Sequence, residues 1–252
     1  EYSCYGKRAQ AEASTSASAY KAYLELLKNA QIEIFFVSPQ ENNSVKEKLA
    51  AEFAAIERSA PKTYRFTSNS KAKAAAEYAE EKLDVNQSKM VLVFKSDNED
   101  KEALKLMSTI YGETPFSKLF ANVREKLSLC YYCASGYINS KNALSVDSGV
   151  ETVNIEKAKE EILNQLEEIK KGNFEQSDID NSLMSLDNAL TAVGDVPSSY
   201  IGWYFGRFCE GDSASPEEIA EKYRAVTKER IIEAAKSLVL DTVYVMSPKE
   251  DK

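Results

Sequence analysis

The order of strand-like and helix-like patterns constrains this chain's fold more than any other feature of its sequence. Residues 89–95 carry an uninterrupted apolar run from Met90 to Phe94 and read as a clear strand. Residues 129–138 and 143–149 read as a pair of strands around the polar turn 139–142. A run of helices follows, and residues 242–246 return as a closing strand. Strands in a block, then helices, then a returning strand imply an α+β fold. The expected architecture is a mostly antiparallel sheet covered on one face by helices.

The remaining elements follow from periodicity and punctuation. Residues 14–29 read as a helix with Tyr20, Tyr23, Leu24 and Leu27 on one side, and residues 44–56 as another with Val45, Leu49, Phe53 and Ile56 aligned. Between them, residues 32–37 have the β-branched and aromatic content of a strand. Pro61 punctuates, and residues 64–67 read as a short strand. Residues 71–83 are rich in Ala and Glu and are helical by propensity. Residues 101–111 form a helix ended by Gly112, and residues 117–126 form another. Asn154 is placed to cap a helix with Ala158, Ile162, Leu166 and Ile169 on its apolar face, ended by Gly172. Ile179, Leu183, Leu186, Leu190 and Val193 make the next face, stopped by Gly194. Residues 200–208 are an aromatic helix. Ser215-Pro216-Glu217-Glu218 is a capping box with Pro at the first helical position, and Thr227 caps the last helix.

Composition removes several chemistries. The 252 residues include no His, so a Ser-His-Asp triad, a Cys-His dyad and a His-Glu-x-x-His zinc helix are all impossible within this chain. At about 150 residues per domain, the length fits one to two domains. The balance of 32 Lys and Arg against 40 Asp and Glu gives a net charge of −8. An acidic chain without a basic run is a poor nucleic-acid binder, because phosphate neutralisation supplies most of that affinity. The apolar runs are too short to span a bilayer. Residues 1–10 are polar, without the apolar stretch of a signal peptide, and the absence of an initiator Met reads as part of a longer protein.

Four cysteines, Cys4, Cys130, Cys133 and Cys209, are too few for a disulfide scaffold and fit a reducing, cytoplasmic compartment. Cys130-Tyr131-Tyr132-Cys133 matches C-x-x-C, but it opens a β-rich segment rather than a helix. Strand positions three apart face opposite sides, so the two read as small buried apolar residues rather than a thiol or zinc site. By the same alternation, Tyr131 and Cys133 share one face, and Cys130 and Tyr132 the other. Tyr200, Trp203, Tyr204, Phe205 and Phe208 read as core, with the lining of a peptide cavity as the sharper alternative. The adjacent pairs Glu80-Glu81, Glu160-Glu161 and Glu167-Glu168 point apart and read as solvated faces.

Phe116-Ser117-Lys118-Leu119-Phe120, leading into Val123-Arg124-Glu125-Lys126 and Leu127-Ser128-Leu129-Cys130-Tyr131, resembles the S-x-L-F…V-R-E-K…L-A-Y signature of the pitrilysin/insulinase family of zinc metallopeptidases. The mitochondrial processing peptidases belong to that family. Asn86-Gln87-Ser88-Lys89 resembles its v-x-Q-S-K-L strand, and Ile169-Lys170-Lys171-Gly172 the end of one of its helices. Pro216-Glu217-Glu218, Val226-Thr227 and the stretch from Leu238 to Tyr244 resemble its C-terminal helix pair and last strand. Cys130 stands where the family usually has Ala, and Glu113-Thr114-Pro115 where a Gly-rich turn is common.

The resemblance implies a non-zinc C-terminal domain of one lobe of a clamshell peptidase. Residues 1–60 would be the helix-strand-helix tail end of a preceding domain, and residues 61–252 the peptidase-like domain. The implied pattern also makes residues 77–85 an extended strand; pairing with residues 89–95 is expected to override their helical propensity. No cofactor is expected in this chain, which should not be active alone. Zinc is expected on a partner lobe or subunit of the same family, with a peptide as substrate and neither nucleic acid nor membrane as partner. The candidate substrate-binding residues are Arg124 and Tyr131. Arg offers a fixed fork of donors to substrate carbonyls, and a Tyr hydroxyl donates to a developing oxyanion. The plainer alternative pairs Arg124 with a carboxylate such as Glu125 and packs Tyr131 in the core. At the level of function, the alternative is a catalytically inactive structural or peptide-binding subunit with the same fold.

Overall fold

The computed structural model describes residues 6–60 and 70–249. The chain divides into two compact units, Glu1–Arg65 and Phe66–Lys252. The expected strand over residues 64–67 lies outside the described residues.

Among its described residues the first unit holds three helices, α1 (Arg8–Glu12), α2 (Ser16–Asn29) and α3 (Asn43–Ala54). α2 begins at a capping box in which the Thr15 hydroxyl accepts from Ser18 N–H and the Ser18 hydroxyl accepts from Thr15 N–H. At its other end Arg58 donates to the carbonyls of Leu27 and Ala30, which takes up two of the acceptors a helix C-terminus leaves open. The strand expected over residues 32–37 is absent. Strand is a property of a hydrogen-bonded pair, and no described segment pairs with this one. No described residue of the unit is buried.

The second unit is built on one sheet of five strands: β1 (Glu77–Leu83), β2 (Ser88–Lys95), β3 (Cys130–Ile138), β4 (Ala143–Val150) and β5 (Val239–Pro248). Their order is β1-β5-β2-β4-β3; only β1 and β5 run parallel. Burial alternates along β2, where Met90, Leu92 and Phe94 face the core. Leu144 and Val146 of β4 and Val243 and Val245 of β5 join them. Helices cover this face: α4 (Lys101–Ser108), α5 (Ile155–Lys170) and α9 (Lys228–Lys236) supply Leu104, Met107, Ile162, Ile169, Ile231 and Ala235 to the same core. α6 (Gln176–Thr191), α7 (Pro197–Glu210) and α8 (Pro216–Arg224) complete the unit. The fold is therefore α+β, as the element order implies.

Glu77–Leu83 is a strand despite its helical propensity, but its partner differs from the expected one. β1 pairs with β5, from Glu77 opposite Thr242 to Leu83 opposite Pro248, because both edges of β2 are occupied by β5 and β4. As a sheet edge, β1 keeps its Lys and Glu in solvent, and that charge discourages further strand addition. Cross-strand bonds from Tyr244 to Glu81 (3.0 Å) and Ser247 to Glu80 (2.9 Å) hold it.

Two helix ends also depart from expectation. Gly112 does not stop its helix: α4 continues as a π-helical turn, Thr109–Glu113, in which Gly112 is buried. Asn154 makes no side-chain cap; a 3₁₀ turn, Thr152–Asn154, leads into α5 instead. Ser215 and Thr227 cap α8 and α9 as read.

Asp100 joins local and tertiary order. Its carboxylate accepts from Ala103 N–H at the start of α4 (3.1 Å) and from Arg230 of α9 through two bonds of 2.7 and 2.8 Å. The Arg230 guanidinium is the main cause holding this carboxyl below its ordinary value of 3.8. A carboxylate lowered by folding contributes stability above its unfolded value and loses it as pH falls through the folded one. Asp100→Ala is expected to cost about 1–2 kcal/mol at neutral pH. The gap to the unsubstituted protein should close below about pH 4, as measured by urea unfolding across pH.

Candidate functional site

Arg124 and Tyr131 come from adjoining elements. Residues Leu119–Lys126 wind as a π-helix whose Leu119 and Val123 are fully buried. The wide winding is of a kind that recurs at functional sites. It ends at Leu127, and Ser128 takes a left-handed φ of 51° to turn the chain into β3.

A β-bulge then opens β3. Cys130 is opposite Val150 and Tyr132 opposite Gly149, so Tyr131 is the extra residue without a partner of its own. This resets the alternation. Tyr131 is 65% exposed. Tyr132 also lies outward, its ring over Gly149, where a Cβ would sit 2.4 Å from Tyr132 Cε1. Its hydroxyl donates to Asp147 (2.6 Å). Burial first, and the Asp147 carboxylate second, push that phenol up to about 12. The bulge also overturns the expected facing of the cysteines: Cys133 is buried in the core and Cys130 packs against the same core, while Tyr131 is exposed and does not share the face of Cys133.

The structure brings the two candidate residues together. Arg124 Nε donates to the Tyr131 carbonyl at 2.8 Å. The guanidinium also lies over the Phe120 ring, 4.6 Å from its centroid, and 3.5 Å from the Glu125 carboxylate. Arg124 is thus anchored on three sides behind the bulge. Tyr131 is not in the core.

Tyr131 and Glu151 line both of two adjoining clefts. One, of about 830 Å³, also has Asn86, Gln87, Ser88, Thr152, Val153 and Pro248 in its walls. The other, of about 260 Å³, is completed by Ser128, Leu129, Cys130 and Asn154. Gln87 Nε2 is buried without a hydrogen-bond partner at the larger cleft, and a buried unpaired donor is costly until an acceptor reaches it. Arg124 is not a wall residue of either cleft. Sequence reasoning missed Glu151 and Gln87; the signal for Gln87 was its place in the Asn86-Gln87-Ser88-Lys89 motif.

Other candidates resolve plainly. The α7 aromatics divide: Trp203 packs against the small core cluster of Leu190, Ala214, Ile219 and Ala220 and donates to the Ala214 carbonyl (2.9 Å), whereas Phe205 and Phe208 are exposed and Tyr200 stacks on Tyr204 with ring centroids 6.5 Å apart. None of them lines either cleft. A separate 240 Å³ cavity has Lys101, Glu102, Lys105 and Arg207 in its wall; Lys105 is paired with Glu113, and Arg207 with Glu210 and Asp212. Among the described residues no group of three or more His, Cys, Asp or Glu is placed to hold a metal ion, and no helix is long and apolar enough to cross a membrane. The donor set does not fit zinc.

The same fold recurs in solved structures. A conserved protein from Enterococcus faecalis matches with a TM-score of 0.86 at 24% identity, over 100% of this chain and 60% of its own. A peptidase M16 inactive domain from Pseudomonas fluorescens matches with a TM-score of 0.70 at 19% identity, over 84% and 53%. At these identities the likeness speaks for fold alone. In sequence, the chain is 28% identical over 240 residues to YmfF of Bacillus subtilis (strain 168), described as a probable inactive metalloprotease. The match takes in 94% of this chain but 56% of that protein, so the chain spans little more than half of its relative. The model of the peptidase M16 inactive domain matches residues 14–186, from α2 into α6 and across the Arg124–Tyr131 corner. On that match, which takes in more than half of its length and agrees with the resemblance carried by residues 116–131, the chain belongs to the peptidase M16 family, in the inactive domain of that family.

Proposed function

We propose that this chain is the non-zinc, substrate-enclosing domain of a pitrilysin-type zinc metalloendopeptidase. It would help bind a peptide for hydrolysis at a zinc site carried by another lobe or a partner subunit. The observation that carries the reading is Tyr131, pushed out of β3 by a bulge and exposed where two clefts meet. Its hydroxyl is free to donate to a peptide carbonyl, and Gln87 offers a second donor in the larger cleft. Arg124 serves as a positioning residue: it fixes the Tyr131 backbone and contributes positive charge beside it.

Residues 1–60 belong, in this reading, to the end of a preceding domain. Support comes from Ile34 and Phe36, about half exposed on a segment that has strand composition and no strand partner. A reducing, cytoplasmic setting fits Cys130, Cys133 and Cys209, which are free thiols among the described residues.

A second reading has one specific support. The Bacillus relative is described as a probable inactive metalloprotease, which favours a structural or peptide-binding subunit that keeps the fold without the reaction. Zinc content and peptide hydrolysis separate the two. The chain alone should hold no stoichiometric zinc and cleave no peptide, and hydrolysis should emerge when a zinc-bearing family subunit is added. One tightly bound zinc per chain by elemental analysis would overturn the first reading. A complex that holds peptide but never cleaves it favours the second.

A further inference from the structure

We propose that Cys130 and Cys133 are a reversible dithiol–disulfide pair, in which Cys130 is the attacking thiol and Cys133 the resolving one. Regular alternation would put these positions on opposite faces of β3, and the bulge at Tyr131 removes that obstacle. Both side chains then face the core side of β3. Cys130 stands opposite Val150 and Cys133 opposite Ser148, and Cys130 packs against the core cluster to which Cys133 belongs.

The pair is asymmetric in the way exchange chemistry requires. Cys130 is partly exposed in the wall of the 260 Å³ cleft, where a small disulfide can reach it. Cys133 is 4% exposed and shielded behind it. The charged and titratable groups around them are Arg124 from the π-helix, Asp147 on β4, Tyr132 on β3 and Glu151 at the cleft. The Cys133 thiol is the main cause that lowers the Cys130 thiol to about 7; Ser148 and the Arg124 charge add to it. The Cys130 thiol, with burial, pushes Cys133 up. Cys130 is therefore substantially thiolate at neutral pH, and Cys133 keeps its proton until it is called on.

The oxidant is a low-molecular-weight disulfide. The Cys130 thiolate attacks one of its sulfurs, forming a mixed disulfide and releasing the other half as a thiolate. That thiolate takes the Cys133 proton. The Cys133 sulfur attacks Cys130, the intramolecular bond forms, and the second half leaves as a thiolate, which takes up from solvent the proton that Cys130 gave up on ionising. Two protein thiols are oxidised and one disulfide is reduced to two thiols; a dithiol reductant reverses both steps. The closed loop holds only Tyr131 and Tyr132, and strained bonds of this kind are the labile ones. Charge and access, rather than a helix N-terminus, would activate this C-x-x-C.

The test uses the reduced chain exposed to oxidised glutathione, then quenched, denatured, alkylated and mapped by mass spectrometry. Cys130 and Cys133 should leave the alkylatable pool together, joined in one peptide lighter by about 2 Da, while Cys209 stays alkylatable. Cys133→Ala should trap Cys130 as the glutathione adduct, and Cys130→Ala should leave Cys133 unreacted. At neutral pH Cys130 should alkylate roughly tenfold faster than an ordinary free thiol. A Cys130 adduct that persists in the unsubstituted chain while Cys133 remains a free thiol overturns the proposal. So does an alkylation profile for Cys130 that rises only near the ordinary 9.0.

Discussion

Gly112→Ala is expected to destabilise the second unit by about 3 kcal/mol or more, lowering Tm by roughly 10 °C. An added Cβ at this position would lie 2.6 Å from the backbone nitrogen of Ser135, 2.7 Å from Leu119 Cδ1 and 2.8 Å from Ser135 Oγ. A side chain can swing away from such a contact, but a strand backbone cannot. The clash sits where α4 runs on into its π-helical turn and presses against β3. Ser108 and Ser135 are hydrogen-bonded across the same junction, with Ser135 Oγ donating to the Ser108 carbonyl at 2.8 Å. Moving β3 outward to admit a methyl group would break that bond. It would also disturb the pairing of β3 with β4. The effect is one of space, because Gly112 is not among the residues with positive φ. Thermal and urea unfolding measure it; a variant as stable as the unsubstituted chain would mean that the helix and strand are not packed this closely.

This glycine also shows where sequence reasoning stopped. Gly112 has the composition of a helix stop, and only the tertiary approach of Ser135 reveals it as a packing residue. Elements whose signal is local were legible. The apolar run from Met90 to Phe94 became β2, and the faces of α5 and α6 follow the spacing of Ile162, Leu166, Ile179 and Leu186. Ser215 and Thr227 cap the helices they precede.

What depends on a partner strand was not legible. Residues 32–37 have strand composition and nothing described to pair with, and β1 found β5 rather than β2. The bulge at Tyr131 is a fact of register between two strands, which the residue types of β3 alone do not specify. That one extra residue placed Tyr131 outward and brought the two cysteines to the same side. The two candidate residues, Arg124 and Tyr131, were therefore legible as a pair, but not the geometry in which one holds the backbone of the other.

Under the proposed function, that geometry gives the two residues different expected effects on peptide hydrolysis. Tyr131 offers a hydroxyl, and loss of a donor aimed at a developing oxyanion falls mainly on kcat. Arg124 fixes the bulge that carries Tyr131, so Arg124→Ala should lower kcat and raise KM together. Arg124→Lys should not rescue it, because an ammonium cannot keep the Tyr131 carbonyl, the Phe120 face and Glu125 at once.

The most direct test of the proposed substrate-enclosing role is steady-state peptide hydrolysis by the protein assembled with a zinc-bearing lobe or subunit of the family, comparing Tyr131→Phe with the unsubstituted chain. The expected result is a fall in kcat of about tenfold to a hundredfold with KM changed by less than about threefold. Unchanged kcat and KM would contradict the account and leave the domain as a scaffold.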